Sequence, residues 1–186
     1  MKVFEKTKQE VEVKLGQMSP FLQMEYLESC LKVHMDFDVK RLCHQKLAEL
    51  YDARNMFSEA ARNMSAVAEL AGTFKDKMQA YMKETELWIK SAQYERADDA
   101  FKKAIASGNA KEKEEMKKAI KDLYKRQAIA YEKANRNSNA LKIYELLIRT
   151  SSEGEVLELK KKLLDMYHKL GKIREYTILK AQLEKM

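Results

Sequence analysis

The feature that most constrains this chain is a unit met first at residues 47–67, LAELYDARNMFSEAARNMSAV, whose pattern returns three more times. Leu47, Leu50 and Tyr51 make an apolar stripe, Arg54-Asn55 interrupts it, and Phe57, Ala60, Ala61, Met64 and Val67 resume it. Apolar spacing of three and four residues on both sides of a short break reads as helix, tight turn, helix. The small residues Ala60 and Ala61 mark where the two helices cross. The copies are found by anchoring on the aromatic that ends the first helix and on the residue nine places later: Tyr51 with Ala60, Trp88 with Ala97, Tyr131 with Ala140, Tyr167 with Tyr176. The aromatics are offset by 37, 43 and 36 residues. The fourth copy departs, with Tyr176 at the small position and Lys180 at the next core position, as in a polar closing helix.

Everything between the copies agrees with helix. The 186 residues are rich in Ala, Leu, Glu, Lys and Met, hold five glycines and one proline, and show no sustained alternation of β-branched residues. The expectation is an all-α chain forming one domain: N-terminal capping helices over 1–37, then antiparallel helix pairs at 38–71, 74–107, 110–150 and 153–186. Phe4, Val11, Leu15 and Met18 form the inward face of the first helix. Ser19-Pro20 reads as a cap and first-turn proline, Asp38 as the cap of the next helix, and Ser152 with Glu155 as a capping box. Gly171 suits a left-handed helix end. The longest periodic stretch, 110–134, is mostly charged in its first half, with a narrow stripe at Met116, Ile120, Leu123 and Tyr124.

The order apolar-small, aromatic, turn, aromatic, alanine in Leu47-Ala48, Tyr51, Asn55, Phe57, Ala60, Met64 and Val67 resembles the tetratricopeptide repeat (TPR) over roughly residues 42–186. That family keeps a period of about 34 residues. The longer, unequal pairs here are similar to the helical repeats of soluble NSF attachment proteins and of PCI-type scaffold subunits. The resemblance implies a right-handed α-solenoid whose first helices line a concave groove for a protein partner.

The N-terminal segment MKVFEKTKQEVEVKLG alternates charge too often for a signal peptide, and no run of about 18 apolar residues occurs. Two cysteines, Cys30 and Cys43, are too few for a disulfide framework. These features point to a cytoplasmic protein without membrane insertion. Cys30, His34, Cys43 and His44 are zinc-type ligands, but Cys43 and His44 are adjacent and point about 100° apart on one helix. No glycine-rich phosphate loop or nucleophile elbow is present, and the paired carboxylates sit among lysines. The reading is a non-enzyme that needs no cofactor or metal.

Two binding classes remain. Lysine-rich runs at 111–126 and 160–162, with a net charge of +7, suggest nucleic acid, specifically RNA, along outer helices. Against it, Glu112, Glu114, Glu115 and Asp122 interleave with the first run at helix-pairing spacing. The other class is a protein partner in the groove. Threading the TPR pattern puts Leu42, Gln45, Glu49 and Asp52 on the inner wall, then Gln79, Met82, Glu86 and Ile89, then Asp122, Lys125, Ile129 and Glu132, then Glu158, Lys161, Asp165 and His168. Seven of these are acidic and two basic, so the groove suits a basic peptide or helix. The contact residues expected are Glu49, Asp52, Met82, Glu86, Ile89, Ile129, Glu132, Asp165 and His168. The function expected is a protein-interaction scaffold or adaptor.

Overall fold

The computed structural model describes residues 2–151 and 153–184, without the side chains of Thr150 and Glu153. Among these residues all regular structure is helical: α1 (Lys8–Gly16), α2 (Pro20–Lys32), α3 (Phe37–Ala53), α4 (Phe57–Glu69), α5 (Phe74–Lys90), α6 (Tyr94–Ala106), α7 (Ala110–Lys133), α8 (Asn137–Thr150), α9 (Glu153–Lys169) and α10 (Ile173–Leu183). The expected class, all-α with neighbouring helices in antiparallel pairs, is the one adopted. The chain divides into two compact units, Met1–Met116 and Lys117–Met186, the second beginning inside α7.

Four turns of one geometry make the pairs. Asn55, Ala92, Asn135 and Gly171 all have left-handed backbones, with φ of 59°, 59°, 55° and 66°. They are offset by the same 37, 43 and 36 residues as the aromatics. After each, the next amide donates back to the carbonyl of the repeat aromatic: Met56 to Tyr51 at 2.9 Å, Gln93 to Trp88 at 3.0 Å, Arg136 to Tyr131 at 2.8 Å and Lys172 to Tyr167 at 2.9 Å. The left-handed residue's own amide donates to the carbonyl three places earlier. This is the Schellman arrangement, which satisfies the last carbonyls of one helix and lets the next start at once. Beyond each turn the crossing residues Ala60, Ala97 and Ala140 are fully buried, while Tyr176 in the fourth pair is half-buried and Lys180 exposed.

Caps start the other helices, some at unexpected positions. Thr7 and Glu10 form a reciprocal capping box, Thr73 accepts from the Asp76 amide at 3.1 Å, and Asn109 with Glu112 repeats the box. Asp38 is not a cap: Asp36 holds that place, and Asp38, in the first turn of α3, pairs with Lys8 at 3.4 Å and Arg41 at 3.7 Å. Ser19 precedes Pro20 as N-cap but makes no side-chain cap bond. Phe4 lies before α1 and is 79% exposed, so only Val11 and Leu15 of the expected first-helix face are buried. The Ser152–Glu155 box lies outside the described residues.

In the first unit α5 packs between α4 and α6. Val67 and Ala68 of α4, Ala80 and Tyr81 of α5, Ala104 of α6 and Met116 form one buried cluster. Glu84, only 6% exposed, sits on the same helix, where its Oε1 accepts from Trp88 Nε1 at 3.0 Å and its Oε2 has no hydrogen-bond partner. Burial pushes the Glu84 carboxyl above its ordinary range, against the pull of the Trp88 bond. In the second unit Tyr124 and Ala128 of α7, Ile143 and Leu147 of α8, and Leu163 and Met166 of α9 are buried, with Leu179 as the one buried residue of α10 among those described.

Four substitutions test this account. Ala92 holds a left-handed backbone that costs an L-residue with a Cβ roughly 1–2 kcal/mol. Ala92→Gly is therefore expected to raise stability by about 1 kcal/mol in urea melts, whereas Asn55→Ala and Asn135→Ala should lower it. For Glu84 the folded carboxyl titrates above the unfolded one, so its penalty is absent at low pH and grows as pH rises through the folded value. Glu84→Gln, which keeps an acceptor for Trp88, should melt higher than the parent near neutral pH. The difference should vanish as pH falls into the ordinary carboxylate range.

Candidate functional site: the groove between α3 and α5

Because α5 is covered by α4 on one side and α6 on the other, its buried face takes in Ala80, Tyr81, Glu84, Thr85, Leu87, Trp88 and Ile89. What it leaves open faces α3. The two helices bound a cavity of about 850 Å³ lined by Arg41, Gln45, Ala48, Glu49, Asp52 and Ala53 from α3 and by Asp76, Gln79, Ala80, Lys83 and Leu87 from α5, with Met64 and Val67 of α4 beneath. Ala48, Ala53 and Ala80 are the small residues of this lining. The volume falls in the range of ligand-binding clefts, roughly 300–1,000 Å³.

The walls carry paired charge. Near the helix N-termini Arg41 reaches Asp76 at 3.5 Å as well as Asp38. Near the C-termini four side chains form a ring: Lys83 to Asp52 at 3.3 Å, Lys90 to Asp52 at 3.3 Å, Lys83 to Glu86 at 3.1 Å and Lys90 to Glu86 at 2.9 Å. Burial raises the Glu86 carboxyl, but bonds and charge from Lys90 and Lys83 outweigh it and hold Glu86 below the usual carboxylate range. Burial likewise pulls Lys90 down, and Glu86 and Asp52 more than restore it. Between the two clusters lie Gln45, Glu49 and Gln79, all exposed. Glu49 touches Lys46 at 3.6 Å and accepts from Gln45 at 3.4 Å.

The expected contact residues are distributed unevenly over this geometry. Glu49 and Asp52 line the cavity with Gln45 and Gln79. Glu86 lies beside the rim, engaged by both lysines. Met82 is half-buried and packs on the cluster around Tyr81. Ile89 is 2% exposed and belongs to the core, which corrects its assignment as a contact. The threading was turned by about one residue on α5, some 100°, because the pattern of one helix does not report that a second helix covers its other flank. Lys83 and Asp76, which do line the cavity, were missed. Their signal was Asp76, Gln79 and Lys83 at helical spacing on the polar side.

Ile129, Glu132, Asp165 and His168 belong to the second unit. Ile129 is 49% exposed, and Glu132 accepts from the Tyr144 hydroxyl. Asp165 pairs with Lys169 at 2.6 Å, and the His168 ring lies 5.6 Å from that of Tyr176. Elsewhere Cys30 and Cys43 are buried free thiols, and His44 Nδ1 bonds Asn63 at 2.8 Å. Among the described residues no group of three His, Cys, Asp or Glu is placed to hold a metal, and no helix is long and apolar enough to cross a membrane.

No protein-family model matches the chain, and no curated protein does. Among solved structures, the crystal structure of MamA is similar over 98% of both chains, at 16% identity and a TM-score of 0.41.

Proposed function

We propose that this chain is a non-catalytic protein-interaction scaffold that holds a partner segment in the α3–α5 groove. One observation carries the reading: an open cavity of about 850 Å³ with an apolar floor and, midway along its rim, two amides and a carboxylate. Gln45 and Gln79 can each give and take a hydrogen bond from a backbone amide, so an extended segment is held through its main chain. Glu49 adds a preference for one Lys or Arg. The preference is narrower than a uniformly acidic groove would give, because Asp52, Asp76 and Glu86 are each neutralised within the wall.

The longer pairs, like those of soluble NSF attachment proteins and PCI-type repeats, fit a scaffold of this kind. Buried free thiols fit a cytoplasmic setting. RNA along the lysine-rich helices has less support. Lys121 and Lys125 both hold Glu155, at 2.5 and 3.0 Å, and no Tyr between residues 117 and 184 is fully exposed for stacking on bases.

Two single variants separate binding from stability. The probe is an array of short peptides varied one position at a time, read with the labelled full chain. Selection of peptides carrying one central Lys or Arg is expected, and Glu49→Lys should abolish that preference while leaving the melting curve unchanged. Glu86→Lys instead places three ammonium groups around Asp52. It should lower stability by roughly 1–2 kcal/mol and leave peptide selection intact. An array pattern indifferent to Glu49→Lys would sink the groove assignment.

A further inference from the structure

The two cysteines of this chain, 13 positions apart in sequence, meet in the fold. Cys30 belongs to the buried stripe of α2 with Tyr26 and Leu27, and Cys43 to the buried stripe of α3 with Val39 and Leu47. The two helices pack on each other, and only residues 33–36 join them. Both cysteines are 0% exposed, and the Cys43 thiol donates to the Cys30 sulfur across the interface. That bond pulls Cys30 below its ordinary range against the push of burial, and the neighbouring Tyr26 adds to the pull. Cys43, the donor in the bond and itself buried, is pushed up. A third group completes the cluster. The Tyr26 hydroxyl, buried and with no hydrogen-bond partner among the described residues, stands beside Cys30 and the Glu5 carboxylate. Burial, with Cys30 and Glu5 beside it, keeps this phenol protonated. A buried donor without an acceptor is costly, and negative charge on the Cys30 sulfur supplies one.

We propose that Cys30 and Cys43 form a dithiol that hydrogen peroxide closes into a disulfide, tying α2 to α3. The Cys30 thiolate attacks one peroxide oxygen and the O–O bond breaks, leaving a sulfenic acid on Cys30 and a hydroxide that takes up the proton Cys30 has lost. The Cys43 sulfur then attacks the Cys30 sulfur. The S–S bond forms as the S–O bond breaks, and the hydroxyl leaves as water with the Cys43 proton. Two thiols give up two electrons, one peroxide accepts them, and two waters depart. The surroundings assign the order: Cys30 has Cys43 and Tyr26 to hold it as thiolate, whereas Cys43 keeps its proton until the second step. Both sulfurs are shielded from bulk solvent, so the oxidant is a small one. Residues 2–6, which bring Glu5 to Tyr26, lie outside regular structure and border the site. Closing the loop between the cysteines restricts the unfolded chain, so the oxidised form is the more stable one. Neither cysteine lines the α3–α5 groove, and this chemistry does not depend on what that groove holds.

The test incubates the folded full chain with hydrogen peroxide, blocks remaining thiols with N-ethylmaleimide in denaturant, and maps tryptic peptides without reductant. Trypsin cuts between the cysteines at Lys32, Lys40 and Arg41, so a disulfide leaves two joined peptides. That joined pair is expected from monomeric chain, together with a higher urea midpoint, and dithiothreitol should reverse both. Cys43→Ala should stop at a sulfenic acid on Cys30, trapped by dimedone, and Cys30→Ala should leave Cys43 unlabelled. Tyr26→Phe, which removes only the hydroxyl, should slow trapping at Cys30 roughly threefold or more, the loss of one hydrogen bond to sulfur. Thiols that survive peroxide in the folded chain but are oxidised in urea overturn the proposal, as does a disulfide found only between chains. Dimedone labelling of Cys43 in Cys30→Ala that outpaces labelling of Cys30 in Cys43→Ala overturns it too. The peptide map of the unsubstituted chain decides the matter even where an alanine variant fails to fold.

Discussion

One backbone hydrogen bond, made four times, closes each helix pair: the amide after a left-handed residue donates to the carbonyl of an aromatic five places earlier. It ends the first helix without orphaned carbonyls and reverses the chain in three residues. The second helix must then lie against the first, which places Ala60, Ala97 and Ala140 at the crossings. The fourth pair keeps the turn, through Gly171, but lacks the small residue, and its α10 buries only Leu179. The turn therefore makes a pair, and the alanine decides how closely it packs.

Burial on α5 shows what stacking adds to pairing. A helix touching one neighbour buries one stripe, whereas α5 touches two and internalises even Glu84 and Thr85. The polar strip left over faces α3, with Ala48, Ala53 and Ala80 among the residues that line the space between the two helices. The groove is thus a by-product of the repeat: its rim is whatever the core does not claim. Its charged residues are largely committed to one another. That arrangement joins α3 to α5 more than it advertises the groove as acidic.

The two units differ in what they present. The first has almost balanced charge and exposes the rings of Phe4, Phe21, Phe37 and Phe74. The second carries the positive excess, although four of its carboxylates are engaged: Glu155 by two lysines, Glu132 and Glu145 by tyrosine hydroxyls, Asp165 by Lys169.

Helix, turn and repeat were legible because they are local. An aromatic, a turn residue and an alanine at fixed spacing specify where a pair bends, and the pattern located every turn, including the one at Ala92 whose residue gives no hint of a left-handed backbone. The caps at Thr7, Thr73 and Asn109 are equally local, each with an acidic residue three places on, but the caps expected from the sequence lie at Ser19, Asp38 and Ser152 instead. Of the expected contacts, Glu49 and Asp52 on α3 line the cavity, whereas Ile89 on α5 is buried. Ion pairing was not legible either: Asp52 and Lys83 are 31 positions apart in sequence and 3.3 Å apart in space. The sequence by itself determined the helices, their turns and the pairing of neighbours, because each depends on residues within one or two helical turns. Only the tertiary structure decided which charges cancel and which faces stay open, because those depend on helices that meet from distant parts of the chain.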